Sequence, residues 1–210
     1  VPKDQLAPST TWQTEADAKG FIVGCYKDLL DGNTLLYLDC GSDIGYNNFP
    51  WEGFRPWGDG SLSSSNPGQI LYDYKSIRKA NTFLENVDKV TFSSDAVKAN
   101  YVAQAKAIRA YKYFLMNWWY GGVPIVTKVQ DPVESSFVPR STTKACIEFI
   151  CNDLDIAADM LRAKTTNGGW NGDNYGRVTT ASAMALKGRV LLLWASPLFN
   201  RANDESRWAA

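Results

Sequence analysis

The side chains best suited to contact a ligand lie in a long segment without helical periodicity, which we call the aromatic loop (residues 33–65). This segment is rich in glycine, proline and asparagine and interleaves large rings with amides and charges. Its aromatic members are Tyr46, Phe49, Trp51, Phe54 and Trp57, and its polar members include Asn47, Asn48, Arg55 and Asp59. Exposed aromatic faces are typical of sites for flat ligands. The alternative is that the rings pack onto nearby helices and hold the loop in place.

A catalytic role is the less favoured hypothesis for the same segment. The chain has no histidine, which excludes a Ser-His-Asp or Cys-His mechanism built from these residues alone. Glu52 and Asp59 are the carboxylates near the aromatic rings, and an all-α glycosidase would use such a pair. The two carboxyl groups would have to face each other at a defined separation, which spacing along a loop does not establish. We predict no catalytic residue.

Metal, nucleotide and nucleic-acid sites have little support. Asp153 and Asp155 lie two residues apart in a predicted helix, where side chains do not face each other, so we interpret them as helix-surface charges. Gly168-Gly169 lacks the Lys-Ser/Thr of a phosphate loop. The 22 basic and 22 acidic side chains give no net charge, which disfavours a nucleic-acid partner. We predict no metal and no cofactor.

A second, weaker candidate patch lies in the Gly/Asn-rich segment 165–177. It combines the rings of Trp170 and Tyr175 with the polar side chains of Asn171 and Asp173. The alternative is a solvated turn before the next helix.

Five helices must position these segments. Apolar side chains recur at helical spacing near residues 14–30, 67–88, 94–120, 141–164 and 179–195. Pro67 is a favoured first-turn residue, and Gly121-Gly122 would end the third helix with left-handed caps. The chain is therefore predicted to be all-α with long irregular loops.

Several side chains on these helices are assigned structural roles. Trp118 and Trp119 continue an apolar stripe and are predicted to lie in the core. Asn81 is expected to satisfy backbone groups at a helix contact. Cys146 and Cys151 have poor geometry for a disulfide, whereas a bond between Cys25 and Cys40 remains possible beside the alternative of four buried thiols. No apolar run reaches transmembrane length.

Two motifs in a fixed order resemble a known family. Residues 105–114 (AKAIRAYKYF) lead into 120–125 (YGGVPI), and further along come 176–190 (GRVTTASAMALKGRV) and 196–200 (SPLFN). This order is similar to that of the SusD/RagB family of surface nutrient-binding lipoproteins. Similar residues upstream extend the resemblance over nearly the whole chain. Because family members are usually more than twice as long, residues 1–210 resemble an N-terminal SusD-like portion.

The resemblance implies a tetratricopeptide-like helical-repeat scaffold that binds oligosaccharides or polysaccharides without cleaving them. It also implies a SusC-like TonB-dependent transporter as partner, on which the protein acts as a lid, and a cell-surface location on the outer membrane through an N-terminal lipid anchor not present in this chain. Aromatic faces would then stack on pyranose rings, and amides and carboxylates would bind the hydroxyl groups. The candidate ligand-binding residues are Tyr46, Asn48, Trp51, Phe54, Trp57, Asp59, Trp170 and Tyr175. A peptide- or protein-binding helical-repeat surface protein is the alternative function.

Overall fold

The computed structural model describes residues 11–27, 29, 37–68, 70–131, 137–162, 174–197 and 199. The chain divides into two compact units, which we describe separately. The helical unit comprises residues 1–26 and 73–210, and the loop unit comprises residues 27–72.

The described part of the chain is helical and has no β-strand, which confirms the all-α prediction. Short 3₁₀ turns lie at Asp39–Gly41 and Val87–Lys89. The α-helices are α1 (Glu15–Lys27), α2 (Arg55–Gly58), α3 (Tyr74–Asn86), α4 (Asp95–Tyr120), α5 (Thr143–Arg162) and α6 (Thr180–Ala195).

The predicted start of α3 at Pro67 is wrong. The helix begins seven residues later because Asp73 is its N-cap: Oδ1 accepts hydrogen bonds from the backbone N–H groups of Lys75 at 3.0 Å and Ser76 at 3.2 Å. Gly68 follows Pro67 with φ +68°, which is incompatible with a continuing right-handed helix. The other long helices agree with the predicted bounds to within three residues at each end.

The carboxylate of Asp73 has a second role. It accepts a hydrogen bond from Lys112 Nζ on α4 at 3.1 Å, which joins the start of α3 to the middle of the next helix. Burial raises the pKa of Asp73, but the hydrogen bonds from Ser76 and Lys112 outweigh it, and the net effect is a pKa below the ordinary value of 3.8.

The two glycines at the end of α4 have different structural roles. Gly121 has φ +71° and is the residue that leaves the helix, as predicted. Gly122 does not have the predicted left-handed conformation. It is required for space, since a Cβ there would lie 2.0 Å from the carbonyl oxygen of Ser141.

α4 is the central helix of the helical unit. Its first half packs with α1 and α3 around Ile22, Phe83 and Tyr101, and its second half packs with α5 and α6 around Tyr113 and Ile150. The predicted core position of Trp118 is correct only in part. Its ring is half-buried against the core and stacks on the rings of Phe114 and Trp119.

Asp153 is not the surface charge that its helical spacing suggested. It is 1% exposed, and its carboxylate binds Arg109 on α4 through two hydrogen bonds, Nε to Oδ2 at 2.7 Å and Nη2 to Oδ1 at 3.0 Å. Lys106 Nζ donates to Oδ1 at 3.0 Å. Asp155 is the exposed member of the pair and binds Lys187 at the surface.

The same buried network confirms the expected role of Asn81. Its Oδ1 accepts from Arg109 Nη1 at 2.8 Å, and its Nδ2 donates to the backbone oxygen of Val126 at 2.9 Å. Tyr113 Oη supports the same strand-like segment by accepting from Val126 N at 2.7 Å. Burial raises the pKa of Tyr113 to about 12. The segment after α4 is therefore fixed by side chains from two helices.

Tyr26 connects three distant parts of the helical unit. Its hydroxyl donates to Gln104 Oε1 at 3.1 Å and accepts from Val178 N at 2.9 Å, just before α6. Burial raises the pKa of Tyr26 to about 12. The end of α1 is thus tied to both α4 and the entry to α6.

The four cysteines carry thiols with no disulfide among them. Of the helices described, none combines the length and the apolar character needed to cross a bilayer.

Candidate functional site

The loop unit is built around a buried ring, Phe54. The carboxylate of Glu52 accepts a hydrogen bond from Phe54 N at 2.8 Å, which sets the turn that leads into α2. The ring of Phe54 is 1% exposed and meets the ring of Trp57 edge-on at 5.7 Å. A buried ring cannot stack on a ligand in this conformation. Phe54 is therefore better explained as a packing residue than as the predicted ligand contact.

Trp57 is half-buried and also holds the loop. Its indole Nε1 donates to the backbone oxygen of Pro67 at 3.3 Å. Gly68 lies directly against the indole, since a Cβ there would be 2.3 Å from Nε1. The alternative weighed from the sequence, in which rings hold the loop in place, thus describes Phe54 and Trp57.

The opposite description applies to Trp51. Its side chain is 78% exposed, and its ring stacks on that of Phe49 with centroids 5.1 Å apart and an interplanar angle of 27°. Phe49 covers one face of the indole. Because most of the indole remains exposed, the other face is open to solvent and available to a flat partner.

Arg55 connects three of the predicted site residues. Its guanidinium lies 5.9 Å from the centroid of the exposed Tyr46 ring. Nη1 donates to the backbone oxygen of Asn48 at 3.5 Å, and Nε lies 3.6 Å from Oδ2 of Asp59. Tyr46, Asn48 and Asp59 are therefore brought together around one cation, whereas sequence reasoning grouped them only by their place in the loop.

The polar groups of this surface are held by local hydrogen bonds. Asp59 Oδ1 accepts from Ser61 N at 2.9 Å, and hydrogen bonds from Ser61 lower the pKa of Asp59 below its ordinary value of 3.8. Asn47 Oδ1 accepts from Phe49 N at 2.9 Å, which orients the residue that stacks on Trp51. The buried Nδ2 of Asn47 has no hydrogen-bond partner within the described residues.

Two site residues were missed in the selection from sequence. Phe49 was named among the aromatic residues but not selected, because nothing in the loop composition shows which rings stack on each other. Arg55 could have been selected from the sequence, because it lies four residues before Asp59, the spacing of an ion pair across one helical turn. The structure provides that turn in α2.

The second predicted patch belongs to the helical unit. Tyr175 is exposed and precedes Gly176, which has φ +82°. Trp170 lies outside the described residues, as do Asn171 and Asp173. Tyr175 therefore stays a prediction without a described neighbour from its own patch.

The Asp59 carboxyl lacks the property that a glycosidase acid requires. A glycosidase acid needs a carboxyl whose pKa is raised, and that of Asp59 is lowered. Among the residues that the structure describes, no group of three His, Cys, Asp or Glu side chains is placed to hold a metal ion. Open aromatic faces beside fixed hydrogen-bonding groups are what a carbohydrate-type ligand requires.

Comparisons with known proteins agree with the helical architecture. The SusD-like family model, described as "Starch-binding associating with outer membrane", matches residues 66–192, more than half of the chain. The SusD-like protein P25 of Formosa agariphila is 27% identical over 174 residues, which cover 74% of this chain and 33% of that protein. This chain therefore spans about a third of the length of that curated relative.

Solved structures give the same picture. A SusD-like protein from Bacteroides fragilis superposes with a TM-score of 0.77 at 26% identity. The match covers 91% of this chain and 37% of the Bacteroides fragilis chain. A laminarin-binding SusD-like protein superposes with a TM-score of 0.73 at 23% identity, covers 86% of this chain and 40% of its own, and supports the fold alone. These proteins have a tetratricopeptide-like helical fold, which confirms the predicted fold class.

Proposed function

Because this chain belongs to the SusD-like family, we propose that it is part of a surface protein that binds a glycan without cleaving it. The observation that carries the proposal is the open face of Trp51, backed by the ring of Phe49. The C–H face of a pyranose is flat and apolar enough to stack on such an indole.

Polar groups of the same loop unit fit the hydroxyl groups of a sugar. The Asn48 side chain and the Asp59 carboxylate are both exposed, and Arg55 holds the backbone and the carboxylate in place. Tyr46 adds a second exposed ring under the same guanidinium. The proposed binding surface therefore consists of Tyr46, Asn48, Trp51 and Asp59, with Phe49 and Arg55 as positioning residues.

The proposal extends to the setting of the whole protein. We infer that the longer protein is held at the outer membrane by an N-terminal lipid anchor, faces the outside of the cell, and delivers its glycan to a SusC-like TonB-dependent transporter. The description of the matching family, which names association with the outer membrane, supports this inference.

The test is titration calorimetry of the purified protein and its Trp51→Ala variant against a panel of polysaccharides, with product analysis beside it. A central aromatic contact is worth about 2 kcal/mol or more, so Trp51→Ala should weaken binding by about 30-fold or more. Phe137→Ala is the matched control, since Phe137 is 87% exposed and lies outside the loop unit. Its affinity should equal that of the wild type.

Three results would contradict the proposal in different ways. Unchanged affinity of a folded Trp51→Ala variant would refute the binding surface. Release of shortened products would point to the glycosidase alternative. Binding to peptides but to no polysaccharide would support the peptide-binding alternative.

A further inference from the structure

Negative charge is concentrated in the segment of the chain that carries the proposed binding surface. Residues 27–72, the loop unit, contain six acidic and two basic side chains and therefore carry a net charge of −4. The whole chain has no net charge, so the remaining residues carry +4. An even distribution would leave the loop unit nearly neutral, so the loop unit is acidic relative to the rest of the chain.

The single cation in residues 37–72 is already engaged. This cation is Arg55, and its guanidinium faces the Tyr46 ring, the Asn48 carbonyl and the Asp59 carboxylate. Recognition of a carboxylate or sulfate in proteins usually needs an arginine or lysine whose N–H groups point at the anion. An anionic sugar would have to compete with Asp59, which hydrogen bonds from Ser61 help to keep ionised.

We infer that this surface selects uncharged glycans and excludes glycans that carry uronate or sulfate groups. The inference rests on the proposed function. Uncharged hydroxyl groups can donate to the Asp59 carboxylate and bond to the Asn48 amide without displacing Arg55. An anionic group placed on the Tyr46 ring would lie near the Asp59 carboxylate, in a segment (residues 37–72) that carries a net charge of −3 and whose one cation, Arg55, already lies between these two residues.

The experiment compares polymers that share a backbone and differ in charge. Purified protein is titrated with uncharged dextran, amylose, laminarin and hydroxyethyl cellulose, and then with the sulfated or carboxymethylated derivative of each polymer that binds. At low ionic strength the charged derivative should bind at least about tenfold more weakly. The difference should narrow as salt is added, because the charges of an exposed surface are screened over about 10 Å at 0.1 M salt.

Charge variants test the cause. Asp39→Asn with Asp43→Asn changes the net charge of residues 37–72 from −3 to −1 and alters no ring of the proposed surface. Binding of the uncharged polymer should stay the same, and the disadvantage of its charged derivative should shrink by about threefold at low salt, as expected for two exposed charges in water.

The outcomes separate the inference from the proposed function. Equal or tighter binding of the charged derivative would overturn the inference and leave glycan binding intact. An unchanged disadvantage in the Asn variant would refute the electrostatic cause. Failure of every polymer, charged or uncharged, would overturn the proposed function and the inference with it.

Discussion

The Asp153→Asn substitution should strongly destabilise the helical unit. It removes the negative charge that accepts two buried hydrogen bonds from Arg109 and one from Lys106. The new amide NH₂ group is itself a donor and cannot accept a hydrogen bond from either residue. Breaking a buried ion pair from one side costs about 3–5 kcal/mol, because the remaining charge stays buried without its partner. This cost is large beside a total stability of about 5–15 kcal/mol.

Urea denaturation followed by tryptophan fluorescence measures the change. For a chain of this size, the same loss of unfolding free energy would lower Tm in a thermal unfolding experiment by roughly 6–20 °C. Asp155→Asn is the matched control on the same helix, since Asp155 is 54% exposed and binds Lys187 at 2.6 Å. A surface pair of this kind contributes about 0–1 kcal/mol.

Similar costs for the two substitutions would refute the reasoning, because the carboxylate of Asp153 is buried and binds both Arg109 and Lys106, whereas that of Asp155 is exposed and binds Lys187. A second check replaces both partners in an Arg109→Met, Asp153→Leu double variant. In the double variant the only charge left unpaired at this contact is that of Lys106, which is partly exposed. The double variant should therefore lose less free energy of unfolding than the sum of the losses in Arg109→Met and Asp153→Leu. Strict additivity would show that the pair is not coupled.

Three further predictions concern the cap, the loop and alkaline pH. Asp73→Ala should cost about 1 kcal/mol through loss of the cap, and more in total because it also removes the carboxylate that binds the nearly buried amine of Lys112. Asp73→Asn should keep the cap but lose the stability that the lowered pKa of Asp73 contributes above pH 3.8. In the wild type this stability disappears as the pH falls below 3.8, as acid denaturation will measure. Gly68→Ala should destabilise the loop by about 1–3 kcal/mol and alter the near-UV signal of Trp57, whereas Gly60→Ala, with a similar φ but open space, should cost less. Because burial raises the pKa of Tyr113 from 10.0 to about 12, the neutral buried phenol should contribute its full stability below pH 10 and lose it between pH 10 and 12. This loss of stability should be absent from Tyr113→Phe when the free energy of unfolding is measured from pH 10 to 12.

Helical periodicity predicted most of the helical unit because burial on one face leaves a repeat in the sequence. It failed at the start of α3, where Pro67 looked like a first-turn residue. The N-cap at Asp73 determined the boundary instead, and its aspartate was not distinguished from other polar residues in a single sequence. Local capping chemistry outweighed the preference of proline for a first turn.

The candidate site was predictable in composition but not in detail. Phe54 and Trp51 lie three residues apart in the same kind of segment, yet one is buried and the other is exposed. A loop has no regular repeat from which the inward side could be derived. The same limit applies to Asp153, since periodicity alone does not show that Arg109 on a neighbouring helix supplies its partner.

The hydroxyl of Tyr26 has a consequence for how the chain folds. It joins residues 152 positions apart, and closing a loop of that length costs about 3 kcal/mol more conformational free energy than a contact between residues four apart. Gln104, which binds the same hydroxyl, lies between these two partners along the chain and divides that long closure into two shorter ones. We therefore predict that the beginning and the end of the helical unit contact α4 in separate steps of folding.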